Sequence, residues 1–424
     1  IQTVVLVLGA AVITYFAWDK MGGWEPMVDV LREKGEEAKL SMLRPHGDAD
    51  SLPWYAVFLG YPVLGIWYWC ADQTIVQRVL GAKDEQHARV GPLFAGLIKV
   101  LPVFIFVLPG LFAFTLAQSD QLDLSTLADG DKVNVKTLIE NERVPLDTKK
   151  LEKAKVLDAK SSVLNLKEAK EKHLIDNAMA EQLREQGETH YDTKGIYGVM
   201  ITQLLPQGLV GLMVAALLAA LMSTVAGALN SISTLFSYDL YKRFRPDTSD
   251  RELVFVGRLT AGVALVAAIG LVPLLDGYTS IFKGLNDIIA HIAPPVTCVF
   301  VLGVFWPRAS AVSAKLTLWF GSALGAVVFL LSKLGEKTPV AKWLDDLTGG
   351  SFMMMAFYLL CACVAMQVVF SLIWPSGERE RSSKLYWSSP LEPLREKGWP
   401  GIGNYKLLSG LLIGGMAVLY YFFR

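Results

Sequence analysis

Charge is scarce in this sequence. Only 19% of its 424 residues are Asp, Glu, Lys or Arg, whereas soluble domains carry about 25%. Nor is there a bias of sign: Lys+Arg and Asp+Glu are 40 each, so no basic face points to DNA or RNA. Cysteine is rarer still. Cys70, Cys298, Cys361 and Cys363 all lie in apolar segments, and the polar loops have none, so no disulfide framework is indicated. Zinc-ligand spacing, a P-loop, a Gly-x-Ser-x-Gly elbow and a dinucleotide fingerprint are also missing, which leaves no catalytic constellation. The apolar run from Ile1 to Trp18 lacks the basic flank and small-residue cleavage site of a signal peptide. It reads as the middle of a longer protein.

What is present is apolar surface. Hydrophobic residues make up 53% of the chain, in runs long enough to cross a bilayer. A spanning helix needs about 20 mostly apolar residues, and windows at 2–18, 54–76, 92–117, 206–236, 253–274, 281–306, 311–332, 352–374 and 407–423 qualify. Their apolarity is continuous, without the alternation of barrel strands. The expected class is an all-α integral membrane protein in contact with the lipid bilayer and not with nucleic acid. Loops around 78–89, 242–251, 308 and 379–406 carry fourteen Lys and Arg, against eight in 19–53 and 333–350. The positive-inside rule puts the richer set in the cytoplasm, so Arg424 ends outside a multi-pass cell-membrane protein.

The chain divides into 1–117, with an exterior loop at 19–53; a polar segment at 118–205; spans over 206–306; and outer spans over 307–424. Within the polar segment, LEKAKVLDAKSSVLNLKEAKEKHLIDNAMAEQLREQ (151–186) suits solvated helix with i,i+4 charge pairs. The expectation is a polar exterior helical insert.

Polar groups inside apolar runs are functional candidates by default. In LGIWYWCADQTIVQR (64–78), one continuous helix would put Gly65, Tyr68, Trp69 and Asp72 on one face. A small residue beside an aromatic pair makes a slot for a flat solute; the alternative is an aromatic belt with Asp72 paired to a neighbouring helix. Lys99 is about two turns into the next run. Its three donors suit a hydroxyl-rich or anionic solute, or else an ion pair with Asp72. Ser223 and Thr224 are adjacent hydroxyls among small residues. With carbonyls from a broken helix they would offer the oxygen ligands a hard cation wants, unless they only bond back to their own helix. Asn286, Asp287 and His291 precede Pro294 and Pro295, a pair expected to break or kink the helix, as in transporter midplane sites. His291 itself reads more readily as a structural group than as a proton relay.

Four stretches now resemble one family. WYWCADQTIVQRVLGAK (67–83), LIKVLPVFIFVLPG (97–110), LLAALMSTVAGALNSISTLFSYDLYKR (217–243) and IAPPVTCVFVLGVFW (292–306) are similar to the sodium/solute symporters, and within them to the sodium/glucose cotransporters. With IQTVVLVLG at the start, the resemblance covers most of 1–335 outside 118–205. It implies a five-plus-five inverted-repeat (LeuT-like) transporter fold working by alternating access. Residue 1 would fall just after the start of the fifth core helix, so the N-terminal part of the first repeat would be absent. Residues 1–117 would then be the fifth to seventh core helices and 206–306 the eighth to tenth. The missing N-terminal helices of the same protein would complete both binding sites.

The resemblance also implies roles. Tyr68 matches the aromatic that stacks on a sugar, with Trp69 beside it, and Lys99 the lysine that hydrogen-bonds sugar hydroxyls. Gly65 sits where relatives have Asn or Thr, and Asn286 where sugar transporters usually have Gln. Ser223 and Thr224 match the paired hydroxyls of a sodium site, and Ala220 a carbonyl donor to it. Ala226 and Gly227 stand where relatives that bind a second sodium have hydroxyls, so one co-transported sodium ion per cycle is expected. The implied function is sodium-driven uptake of a sugar or sugar-like small-molecule solute, without an enzymatic step. A non-sugar solute on the same scaffold, or a sensor that has lost transport, are the alternatives.

Overall fold

The structure is a computed structural model of the chain and describes residues 2–46, 52–140, 146–154, 156–158, 162–276, 280–334, 338–375, 386–387, 389 and 391–423. Helix α1 is Gln2–Met21. The run expected as one span at 54–76 is instead three short helices: Trp54–Leu59, α2 (Tyr61–Cys70) and α3 (Gln73–Leu80). Next come α4 (Glu85–Ile98), a π-helical turn at Val103–Val107 and α5 (Leu108–Gln118). After strands β1 (Ala128–Asn134), β2 (Leu157–Asp158), β3 (Val163–Asn165) and β4 (Glu188–Tyr191) the long helices resume. They are α6 (Gln207–Thr234), extended by a π segment at Leu235–Tyr241; α7 (Asp250–Asp276); α8 (Ile281–Phe305); α9 (Ala311–Leu334); α10 (Phe352–Ile373); and α11 (Tyr405–Phe422). Among the described residues seven segments are long and apolar enough to cross a membrane, the first running Glu85–Gln118 and the last Tyr405–Phe422.

The chain forms two compact units, and the last of the three boundaries between them falls inside α6. The first comprises Ile1–Glu37 and Pro102–Ala220. Here α1 buries Ala10, Ile13 and Ala17 completely, a stripe at helical spacing, and Trp18 meets Phe112 of α5 edge-on at 5.6 Å.

The polar segment is not the helical insert expected. It holds a four-stranded antiparallel sheet in the order β2-β3-β1-β4, with Val133 opposite Leu164 and Thr189. Val133, Leu138, Leu151, Leu164, Leu166 and Leu183 form its core. The helix anticipated over 151–186 is cut by side-chain caps: Asp147 accepts from Lys150 N, Asn165 from Glu168 N and Asp176 from Met179 N. Each cap satisfies an otherwise orphaned helix-start donor, and β2 and β3 lie between the first two. Asp123 and Gln203 close the two ends with reciprocal bonds, Gln203 Nε2 donating to Asp123 O (2.7 Å) and Asp123 N to Gln203 Oε1 (3.0 Å).

The second unit comprises Ala38–Leu101 and Leu221–Arg424. Its centre is α8 packed between α9, α10 and α2. Val63 and Leu64 of α2, Ala290 and Ala293 of α8, and Phe352, Met353 and Ala356 of α10 form one buried cluster. Pro294 and Pro295 do not break α8, which is continuous over 25 residues. Membrane helices tolerate proline where a neighbour closes on the freed backbone, and α9 does so with two glycines. A Cβ at Gly325 would lie 2.1 Å from His291 O, and one at Gly321 2.8 Å from Pro295 Cβ. Two small residues one turn apart are what lets helices approach this closely. Buried Ser313, Gln367 and Ser371 cross-link α9 to α10, Gln367 Nε2 and Ser371 Oγ donating to Ser313 Oγ at 3.2 and 2.7 Å.

Candidate functional site

The site is set by two helix ends in the second unit. α2 stops at Cys70 because Asp72 adopts an extended conformation (φ −65°, ψ 122°) and caps α3, accepting from Thr74 N at 2.9 Å and from the Thr74 hydroxyl. Asp72 therefore does not share the face of Gly65, Tyr68 and Trp69, as one continuous helix would require. It serves as an N-cap and not as a partner of Lys99. The physical reason is local: an Asp side chain competes with the backbone for the first N–H groups of the next helix.

Lys99 follows the last residue of α4 and turns onto the aromatic pair. Its Nζ lies 4.4 Å from the Tyr68 ring centroid and 4.7 Å from that of Trp69, and it donates to Tyr68 Oη at 3.4 Å. The two rings meet edge-on, 5.5 Å apart at 84°. Tyr68 and Trp69 are half-buried and Lys99 is exposed. The result is an ammonium and a phenol beside two aromatic faces, a set that offers both hydrogen bonds and stacking. Gly65, one turn earlier, is open: a Cβ there would meet nothing within 4 Å.

Asn286 is half-buried on α8 and donates from Nδ2 to Phe282 O at 2.8 Å, so part of its amide is turned back on its own helix. His291 is buried and donates from Nδ1 to Asp287 O at 2.7 Å, while its Nε2 is buried without a hydrogen-bond partner. Ala220, Ser223 and Thr224 lie on α6 in an i, i+3, i+4 relation, with both hydroxyl residues exposed. The helix is unbroken here.

Two anchors of this arrangement were not singled out in the sequence. Thr297 of α8, fully buried, donates to Val63 O of α2 at 3.1 Å and so ties the helix bearing Tyr68 to α8. At the far end of α4, Arg89 pairs with Glu85 and Glu396, both at 2.5 Å, and lies over the Tyr405 ring. Gln86 Nε2 donates to Lys397 O at 2.9 Å, and His87 packs edge-on against Trp399 at 4.6 Å. The His87 backbone N–H donates to Asp84 (2.9 Å) and holds its carboxyl below the usual range. Long-range pairs of this kind leave no mark in local periodicity.

The sodium:solute symporter family model matches residues 1–136 and 184–321. The chain belongs to the sodium:solute symporter family. Between its two parts the family match leaves out 137–183, within the α+β segment, and it ends within α9, before α10 and α11. Among the chain's relatives, a sodium/mannose cotransporter of Bos taurus is 30% identical over 407 residues, covering 91% of this chain and 59% of the relative. A sodium/glucose cotransporter 4 of Danio rerio is 29% identical over 408 residues (91% and 53%), and a sodium/myo-inositol cotransporter 2 of Rattus norvegicus 27% over 417 residues (94% and 54%). The chain thus spans little more than half the length of these relatives. Family membership and the seven membrane-capable segments make it a multi-pass membrane protein.

Proposed function

We propose that this chain belongs to a secondary active symporter that couples inward sodium movement to uptake of a sugar or sugar-like solute by alternating access on a five-plus-five inverted-repeat scaffold. The observation that carries the reading is the seating of Lys99 against Tyr68 and Trp69, beside the break between α2 and α3. Tyr68 and Trp69 would stack on the solute ring, while Lys99 and Asn286 would hydrogen-bond its hydroxyls, and open Gly65 would leave room for substituents. Relatives named for mannose, glucose and myo-inositol transport support a polyhydroxylated solute.

Sodium would sit at Ser223 and Thr224 with the Ala220 carbonyl, one ion per cycle. Ion binding drives the cycle only if it favours one state over the other. One charge crossing 100 mV contributes about 2.3 kcal/mol, and a tenfold sodium gradient adds about 1.4 kcal/mol. Together these support an uphill solute ratio of several hundredfold. No enzymatic step is involved. The loops around 78–89 and 242–251 would be cytoplasmic and the C-terminus exterior, as the distribution of cations argues.

The test is uptake of labelled glucose, galactose, mannose and myo-inositol into vesicles holding the full parent protein, with sodium or choline outside. Sodium-dependent accumulation of at least one is expected, and Thr224→Ala should abolish its sodium dependence. Uptake of none, with the protein folded and correctly inserted, overturns the reading.

A further inference from the structure

Between the C-terminal part of α6 and the start of α7 lies a cleft of about 290 Å³ that neither the solute nor the sodium reading uses. Its one charged lining residue is Arg258. Arg258 is the ninth residue of α7, about 12 Å along the axis from Asp250 at 1.5 Å per residue, within the apolar segment Asp250–Pro273. Arg258 is exposed, and a guanidinium within so apolar a segment is costly in a bilayer unless it meets an anion or water. Among the described residues no carboxylate pairs with it. Glu252, nearer the start of the same helix, is engaged by Tyr241 Oη at 2.6 Å and by Arg245 at 3.9 Å.

Beside Arg258 the cleft has the Asn230 amide and the Ser233 hydroxyl, while the Thr234 and Ser237 hydroxyls donate back to Asn230 O and Ser233 O of their own helix. The π segment Leu235–Tyr241 widens α6 at this level, as i→i+5 bonding does. Asn230 and Ser233 face the cleft from α6. At Gly257 a Cβ would lie 2.5 Å from Ser233 Oγ, so the α7 backbone rests on the floor. Tyr238 forms part of the rim, and Lys242 Nζ stands 5.4 Å over its ring, bringing a second cation to the edge. Leu229, Leu253 and Val254 supply apolar wall, and Val254 is more than half exposed. A guanidinium fork, an amide and a hydroxyl, with no lining carboxylate, match a phosphate. Apolar walls with an exposed face at Val254 match acyl chains attached to it.

We propose that this cleft binds the phosphate group of an anionic phospholipid, with Arg258 as its principal ligand. This site is independent of the transport reading. The test is native mass spectrometry of the full protein in detergent, titrated with phosphatidylglycerol or phosphatidylcholine of identical chains. The expected result is one phosphatidylglycerol retained at least about fivefold more tightly, the scale of one basic side chain against anionic lipid. Arg258→Gln and Arg258→Ala should erase that preference. Arg258→Lys should keep part of it, because an ammonium supplies charge without the bidentate fork. Arg251→Ala, outside the cleft lining, should leave it intact. Displacement of the lipid by millimolar inorganic phosphate supports the same phosphate chemistry, with free phosphate as a second source; resistance to it supports lipid alone. Equal retention of the two lipids, or a preference that survives in folded Arg258→Gln, overturns the proposal.

Discussion

Replacing Lys99 with methionine keeps the aliphatic stem and removes the charge, which separates solute recognition from packing. The ammonium stands 4.4 and 4.7 Å from two ring centroids at an exposed position, where each cation–π contact is worth about 0.5–1 kcal/mol. The hydrogen bond to Tyr68 Oη, at 3.4 Å, is beyond the usual N–H···O range and adds little. Loss of these contacts should therefore cost the fold no more than about 1–2 kcal/mol. A hydrogen bond from an ammonium to a solute hydroxyl contributes about 1.5–3 kcal/mol. Less the roughly 0.5–1 kcal/mol of ring contact given up for it, the net is about 1–2 kcal/mol, or roughly 5- to 30-fold in affinity. Lys99→Met should thus raise the solute KM of sodium-dependent uptake by that factor, with a small change in Tm and a smaller one in sodium half-saturation. Lys99→Arg should fall between. A KM within about twofold of the unmodified protein, well below the loss of one charged hydrogen bond, would show that Lys99 only braces the end of α2.

Three further outcomes follow from named contacts. Gly325→Ala would put a methyl 2.1 Å from the His291 carbonyl oxygen, a backbone atom that cannot rotate away. Overpacking of this kind costs about 1–3 kcal/mol or more, so Tm should fall sharply while Gly410→Ala, with nothing within 4 Å, leaves it unchanged; equal Tm values would refute the packing of α9 on α8. Gly65→Thr meets open space, so the protein should fold normally while the glucose-to-myo-inositol KM ratio shifts, and an unchanged ratio would remove Gly65 from the solute site. In the insert, burial pushes His190 below its ordinary pKa, with Lys132 adding to the effect. Below the ordinary value of about 6.5 the unfolded chain takes up a proton that the folded one resists, so stability falls with acidification. His190→Gln should flatten that loss, read as hydrogen exchange of the β1 and β4 amides between pH 7.5 and 5.5; parallel pH profiles would count against it.

The long spans were legible because continuous apolarity over 20 residues has few other meanings in a chain this size. The breaks were not, because apolarity is blind to caps and close approaches. Gly60 lies inside the apolar run, yet a Cβ there would fall 1.9 Å from the Met353 carbonyl oxygen, and Asp72 starts a new helix rather than extending the old one. The insert misled for a related reason. Its strands β2 and β3 are two and three residues long, too short for alternation to show, while its Lys- and Glu-rich stretches favour helix. At the site, the chemistry of Tyr68, Trp69 and Lys99 was legible and the distance between them was not. The resemblance to the symporters supplied the pairing, and the end of α4 supplies the geometry.

The anchoring of these residues bears on how such a site could work. Tyr68 rides on α2, which Thr297 and the Ala290–Ala293 contacts fix to α8. Lys99 rides at the end of α4, whose other end is held by Glu396, Lys397 O and Trp399 and which packs along α11. The two groups are tied to different sets of helices, and what joins them directly is a weak, exposed contact. A strong buried pair there would lock the site, since breaking one by removing a partner costs about 3–5 kcal/mol. A pair of surface cation–π contacts at about 0.5–1 kcal/mol each can instead be exchanged for a solute hydroxyl bonded to the same ammonium. On the proposed function, the solute would then replace the internal contact rather than add to it. A ligand shifts a conformational equilibrium only through its difference in affinity between states, and a lysine that can be recruited from the rings is one means by which solute binding could generate that difference.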